Sequence, residues 1–143
     1  MDKNPDNYRN KQLIHVTWSD LDLFGHVNNV IYSRYFEEVR ADYFSNLQLW
    51  KLGGKGNSNG LVIVNLNMDF RKQATYPEVL TAYLRIAHLG GKSARMEFLL
   101  QNAAQEAVLT ATGTFVWFDF DKQASDRIPD LFREKVIAFE KKL

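Results

Sequence analysis

A single helix-period segment stands between one short strand-like stretch and a succession of long ones, and that order constrains the fold more than any other feature. From residue 30 to residue 44 the apolar side chains Tyr32, Tyr35, Phe36, Val39 and Tyr43 recur at spacings of three and four, while Arg34, Glu37, Glu38 and Asp42 take the other side. Asn28 or Asn29 is a suitable N-cap. Ahead of it, residues 12–18 (Gln-Leu-Ile-His-Val-Thr-Trp) are β-branched and aromatic and predict a strand. Beyond it the period becomes two: Val62, Val64, Leu66, Met68 and Phe70 alternate with Ile63, Asn65, Asn67, Asp69 and Arg71, which predicts a long half-buried strand. Residues 78–89, 93–100 and 107–119 continue the β patterning, separated by Gly90-Gly91 and by polar residues 101–106, so consecutive strands run antiparallel. Strands this long exceed the usual five or six residues or so. A curved antiparallel sheet wrapped around the long central helix uses both the strand length and the helix's apolar face, giving an α+β fold. Pro129 and Asp130 open a C-terminal helix expected to run to Lys141 and Lys142 and to cap the sheet. The turn formers from Gly53 to Gly60 lack phosphate-loop spacing and predict a flexible surface loop.

Composition limits what such a domain does. The 143 residues are 45% hydrophobic, enough for a single domain, 1–143, with a sizeable core. Its 18 basic and 17 acidic side chains nearly cancel and form no long run, so no nucleic-acid partner is expected. The absence of cysteine excludes disulfides, thiolate nucleophiles and cysteine metal clusters, and fits a reducing cytoplasm. Residues 1–11 are polar and carry Pro5, unlike a signal peptide or a membrane span, so they are expected to fray and the chain to be cytoplasmic, with no membrane partner. A sheet of this kind leaves a long strand at its edge. Pairing with another copy removes that liability, so at least a homodimer is expected.

The segment from Trp18 to Arg40 places two carboxylates, Gly25, His26 and two asparagines immediately before the helix. A helix start offers unpaired N–H groups and the positive end of a dipole, worth roughly 0.3–1 kcal/mol towards nearby negative charge. A group that is negative, or becomes so during a reaction, suits this place.

The run Asp20-Leu-Asp22-Leu-Phe-Gly25-His26-Val27-Asn28-Asn29-Val-Ile-Tyr32, continued by Tyr35-Phe36-Glu37 and Arg40, resembles the signature of the 4-hydroxybenzoyl-CoA thioesterase-like branch of the hotdog-fold acyl-CoA thioesterases. The likeness extends through Tyr76-Pro77-Glu78, the Leu89-Gly-Gly-Lys92-Ser93 turn and the last long strand to Asp119. It implies a single hotdog domain, acyl-CoA substrates, a homodimer or dimer of dimers, and active sites between subunits. Coenzyme A enters as part of the substrate, and no separate cofactor is implied. The resemblance assigns the catalytic carboxylate to Asp22 and the N–H that polarises the thioester carbonyl to Asn29.

Chemistry agrees with that assignment. Thioester hydrolysis builds charge on the carbonyl oxygen, where one preorganised donor contributes about 2.7–4 kcal/mol. Asp22 then acts as a nucleophile, through a mixed anhydride, or as a base towards water. An aspartate, with an ordinary pKa of about 3.9, is a weak base at neutral pH, which favours the nucleophilic route unless burial raises it. Asp20 is read as structural, through an Asx turn or a salt bridge, and His26 as a catalytic-site residue that holds the loop or positions substrate. Gly25 permits a tight turn or close approach of the acyl group; Val27 and Tyr32 complete the substrate-binding candidates near the helix start. Arg71, Lys72 and Lys92, at strand ends and turns, are the candidates for the coenzyme phosphates. Glu37, eight residues beyond Asn29, is a reserve carboxylate whose simpler role is an i, i+3 pair with Arg40. Asp20, Asp22 and His26 lack the second histidine or further carboxylates of a metal site, so none is expected. Two alternatives remain: a hotdog enoyl-CoA hydratase, which also uses an Asp/His pair but at another spacing, and a non-catalytic acyl-thioester-binding domain, which would need an output module.

Overall fold

The computed structural model of the chain describes residues 1–49, 58–141 and 143. Its long helix α1 (Asn29–Asn46) lies against a six-stranded antiparallel sheet. Five strands, β1 (Asn10–His15), β2 (Asn59–Phe70), β3 (Val79–Leu89), β4 (Ser93–Gln101) and β5 (Ala107–Asp119), are ordered β1-β3-β4-β5-β2, and the short β6 (Ala124–Ser125) pairs with β5. A final helix, α2 (Asp130–Phe139), completes the fold. The apolar positions read from the helix period, Tyr32, Tyr35, Phe36, Val39 and Tyr43, are all buried. Phe36 shows how they meet the sheet: its ring sits 5.4 Å from that of Phe98 on β4 and 6.4 Å from that of Phe115 on β5. Phe132 and Val136 of α2 join the same core, which closes over the C-terminal end of α1.

Several sequence expectations shift. In β2, pairing passes from Ile63↔Phe115 to Asn65↔Thr114, so Val64 is an extra, exposed residue at a bulge. The bulge exchanges the faces: Leu61 and Ile63 pack inward before it, Leu66 and Met68 after it. The single alternating series through Val62 and Val64 is therefore broken. Asn59 and Gly60, assigned to the surface loop, start β2, while residues 53–57 of that loop lie outside the described residues. Trp18 leaves the first strand for a 3₁₀ turn, Trp18–Asp20. The last helix stops at Phe139, before Lys141; Lys142 lies outside the described residues.

The amino-terminal segment is a correction as well. Instead of fraying, it carries a 3₁₀ turn, Pro5–Asn7, and buries Tyr8. The Arg85 guanidinium lies 5.2 Å from the Tyr8 ring, Arg85 Nη2 is 2.8 Å from Glu97 Oε2, and the Asp2 N–H donates to the same carboxylate at 3.2 Å. No helix among the described residues is long and apolar enough to cross a membrane. β1 and β2 form the two ends of the strand order, and the twelve-residue β2 is the longer.

Candidate active site

Asp20 fixes the loop that precedes α1. Its side chain is fully buried and accepts from Arg34 Nη2 at 2.6 Å, from the Tyr35 hydroxyl at 2.6 Å and from the Thr17 N–H at 3.0 Å. Burial alone pushes this carboxyl up; the Tyr35, Thr17 and Arg34 hydrogen bonds outweigh it and bring the pKa down to about 2. Asp20 is thus an ionised anchor between the loop and the first turns of the helix, as its structural reading requires. Its main-chain carbonyl also accepts the Asn28 N–H at 3.0 Å.

Asp22 sits in the turn that this anchor holds. The Gly25 N–H donates to the Asp22 carbonyl at 3.1 Å, the Asp22 N–H to the His26 carbonyl at 2.9 Å, and Leu21 bridges to Val27 across the turn. The Phe24 N–H donates to Asp22 Oδ1 at 2.9 Å, which orients the carboxylate. Gly25 has φ +78°, where side chains are disfavoured, while a Cβ there would meet nothing within 4 Å. Of the two reasons offered for this glycine, the protomer shows the turn. The segment after β2 clamps the other side: the Val27 N–H donates to the Ala74 carbonyl and the Thr75 hydroxyl to the Gly25 carbonyl, both at 2.8 Å.

The helix start leaves one main-chain donor open. Asn28 is the N-cap, its Oδ1 accepting from the Val30 N–H at 3.0 Å and its carbonyl from the Ile31 N–H at 2.9 Å. The Asn29 N–H has no acceptor among the described residues. Asn29 lines a cavity of about 330 Å³ together with Asp22, His26, Val27, Tyr32, Arg71 and Lys72. That set holds seven of the nine sequence-derived candidates. The imidazole of His26 has its Nδ1 buried without a partner among the described residues, and burial raises the Tyr32 phenol above its ordinary pKa.

The remaining candidates separate. Gly25 shapes the turn beside the cavity, and Lys92 lies in the β3–β4 turn at the far end of the sheet, where its carbonyl accepts the Trp117 N–H at 2.7 Å. Lys92 does not line that cavity. Arg71 donates from Nε to Thr110 Oγ1 at 3.0 Å, and Lys72 pairs with Glu106, so both cations reach the site already tethered. Glu37 is engaged by Arg40 at 2.5 Å, its simpler reading. Phe24, Phe70 and Gln73 also line the cavity and were not singled out from sequence. Phe24 is 85% exposed and its neighbour Leu23 wholly so. Two large apolar side chains in a turn were the available signal, since a solvated turn has no use for them.

Residues 16–136 match the profile of the thioesterase-like superfamily. Among curated proteins the chain is 30% identical to the long-chain acyl-CoA thioesterase FadM of Escherichia coli (strain K12), over 81% of this chain and 88% of that one. Among solved structures it superposes on PA2801, a putative thioesterase from Pseudomonas aeruginosa, with TM-score 0.80 and 28% identity, covering 89% of this chain and 97% of that one. It also superposes on SAV2348 from Staphylococcus aureus, solved in complex with CoA, with TM-score 0.84 over 93% of this chain and 84% of that one; at 17% identity this likeness concerns the fold. The chain belongs to the thioesterase-like superfamily, a thioester hydrolase on the hotdog fold.

Proposed function

We propose that this protein hydrolyses acyl-CoA thioesters to a free acid and coenzyme A, with Asp22 attacking or activating water and the Asn29 N–H holding the carbonyl oxygen. The observation that carries this reading is the unclaimed Asn29 N–H in the same cavity as the oriented Asp22 carboxylate. In the nucleophilic route an Asp22 oxygen adds to the thioester carbonyl carbon. The tetrahedral oxyanion collapses with loss of the CoA thiolate, and water cleaves the acyl–aspartyl anhydride, so water is the only co-reactant and no metal or redox cofactor takes part. His26, whose buried Nδ1 has no partner among the described residues, helps position substrate or water. Arg71 and Lys72 line the cavity as candidates for the coenzyme phosphates, and the likeness to the acyl-CoA thioesterase FadM supports that ligand class. The long unpaired edge of β2 supports a homodimer, alone or doubled, and a reaction on CoA thioesters suits the cytoplasm.

Thiol release from a panel of short, long and aromatic acyl-CoAs tests the reaction. Free thiol whose appearance depends on Asp22 is the expected result. Loss of enoyl absorbance without thiol would replace hydrolysis by hydration, and tight binding without release would leave a binding protein. A single turnover in heavy-oxygen water that puts label into the Asp22 side chain establishes the anhydride, cleaved by water at its aspartyl carbonyl, because the general-base route puts label into the free acid alone.

A further inference from the structure

The face of the sheet turned away from α1 carries a polar cavity of about 320 Å³, lined chiefly by Lys3, Asn67, Asp69, Arg71, Thr110 and Thr112. Cross-strand register explains why these residues meet. Arg85 pairs with Glu97, Glu97 with Thr112 and Thr112 with Asn67, so one row of side chains crosses β3, β4, β5 and β2 on a shared face. Phe98, next to Glu97, meets Phe36 of α1, so the row points the other way. Two residues along, Thr110 pairs with Asp69, and Arg71 folds onto the same face, its Nε donating to Thr110 Oγ1 at 3.0 Å.

Lys3 is brought to this cavity by its neighbour. The Asp2 N–H donates to Glu97 Oε2 at 3.2 Å, and the Asp2 carbonyl accepts the Tyr8 hydroxyl at 2.6 Å. The Asp2 carboxylate accepts from Asn7 Nδ2 at 2.6 Å and from the Asn4 N–H at 2.9 Å, with Arg85 Nη1 at 3.7 Å. Asp2 is thus fixed over β3 and β4, and Lys3 reaches β5 and β2. Were the segment frayed, the Lys3 charge would be spread through solvent; pinned, it adds a fixed positive charge to the cavity that Arg71 lines.

Arg71 links this cavity to the Asp22 site. It lines both, whereas Lys72 lines the Asp22 cavity and Lys3 the outer one. At about 3.3 Å per strand residue, Asn67 and Arg71 stand on the order of 13 Å apart, so the outer cavity extends well away from Asp22. The order of cations from Asp22 outwards, Lys72 and Arg71 and then Lys3, matches the order of anions along coenzyme A, whose diphosphate follows the pantetheine arm and whose ribose 3′-phosphate lies beyond it. A phosphomonoester carries a charge of about −1.5 to −2 and three acceptor oxygens at neutral pH. Lys3 and Arg71 supply the opposite charge, and the hydroxyls of Thr110 and Thr112 and the Asn67 carboxamide supply further donors. Asp69 sits at the rim, its carboxylate 3.8 Å from Arg71 Nη2 and its side chain 77% exposed, open to a ribose hydroxyl.

We infer that this outer cavity binds the 3′-phosphorylated ribose of the coenzyme, with Lys3 on the phosphate. This rests on the acyl-CoA reading above and adds a subsite built by the amino-terminal segment, apart from the loop and helix that carry the proposed chemistry.

The test compares the fastest acyl-CoA of the panel with its 3′-dephospho analogue as a ratio of kcat/KM values. Lys3 is exposed, so Lys3→Ala does not threaten the fold. It is expected to lower that ratio about fivefold or more, through KM, and Lys3→Arg to restore it. Asp2→Ala, which unpins the segment and leaves Lys3 in the chain, is expected to lower the ratio as well. An unchanged ratio in either alanine variant, or an equal loss on both substrates, overturns the inference. Calorimetry keeps the subsite distinct from hydrolysis. Absence of thiol release from every thioester sinks the hydrolase, yet CoA itself is still expected to bind about fivefold more tightly than 3′-dephospho-CoA, with Lys3→Ala removing the difference. Equal affinity for the two in wild type, or no binding of CoA, overturns the subsite.

Discussion

The two ends of α1 each hold a buried carboxylate clasped by a helix tyrosine, and the physics of the two clasps is opposite. At the N-terminal end the Tyr35 hydroxyl donates to Asp20 at 2.6 Å; two turns on, the Tyr43 hydroxyl donates to Glu140 at 2.6 Å. Asp20 also collects Arg34 and the Thr17 N–H, and the donors hold it at about 2 against the upward push of burial. Among the described residues Glu140 adds the Ile86 N–H alone, at 3.0 Å, and its buried Oε2 has no partner; burial outweighs its hydrogen bonds and raises its pKa. Charge anchors the end where the proposed chemistry lies, so that the loop carrying Asp22 is held by groups that do not compete for the cavity. Burial anchors the other end.

The largest expected effect lies at the N-terminal end alone. Asp22→Asn should lower kcat for acyl-CoA hydrolysis by about 10²–10⁴-fold, roughly 3–5 kcal/mol in the barrier, with no more than a small change in the urea midpoint. Asp22 is half-buried and its side chain accepts one hydrogen bond among the described residues, from the Phe24 N–H, so the fold does not depend on it. Near-wild-type turnover in this variant would move the chemistry elsewhere.

Glu140→Ala comes next, and its effect is on stability. It leaves the Tyr43 hydroxyl and the Ile86 N–H buried without an acceptor, at a cost of about 3 kcal/mol by denaturant titration. Glu140→Gln keeps an acceptor for both donors and removes the desolvated charge, so it should stay within about 1 kcal/mol of wild type. The pH dependence separates charge from shape. Because the folded pKa of Glu140 is raised, the native state holds a proton that the unfolded chain has released, and stability falls as pH rises from the ordinary glutamate range through the folded value. The stability of Glu140→Gln relative to wild type should therefore improve over that window; a flat difference would show that Glu140 is ordinary in the folded chain.

The ease of reading these two ends from sequence also differs. The grouping of the candidate residues was legible because they are local: Asp20 to Asn28 lead straight into α1 at Asn29, and Tyr32 follows one turn into the helix, so neighbours in sequence are neighbours in the cavity. Arg71 and Lys72 join the same cavity because the end of β2 lies beside that loop. The position of Lys92 was not legible, since a hairpin turn sits at one end of the sheet or the other and periodicity does not say which. Glu140 was invisible because its partners Tyr43 and Ile86 are 97 and 54 residues away. The Val64 bulge was hidden too, since an uninterrupted apolar–polar alternation gives no sign that one residue is unpaired. The docking of residues 1–8 rests on Arg85 and Glu97, charged side chains held within 9% exposure, a burial that composition argues against.

Asp20→Asn should cost about 2 kcal/mol at neutral pH, since the neutral amide gives up charge-assisted hydrogen bonds to Arg34, Tyr35 and Thr17. The folded pKa here is depressed, so the contribution is complete above about pH 4 and is lost as pH falls towards about 2. Urea midpoints of wild type and variant should converge across that interval. The opposite slopes of the Asp20 and Glu140 variants are the sharpest check on the contrast between the two clasps. Parallel slopes would mean that the two carboxylates are held alike.

The smallest effects distinguish the two asparagines at the helix start. Asn28→Ala removes the side-chain acceptor of the Val30 N–H and should cost about 1 kcal/mol of stability. Asn29→Ala keeps the main-chain N–H proposed to face the thioester oxygen, so it should change kcat less than about threefold and leave the urea midpoint nearly unchanged. A hundredfold loss of kcat in Asn29→Ala would transfer the oxyanion contact from the backbone to the amide side chain. The helix start would then act through a chosen residue type and not through its geometry alone, and the resemblance in charge logic between Asp20 and the site it supports would need a different account.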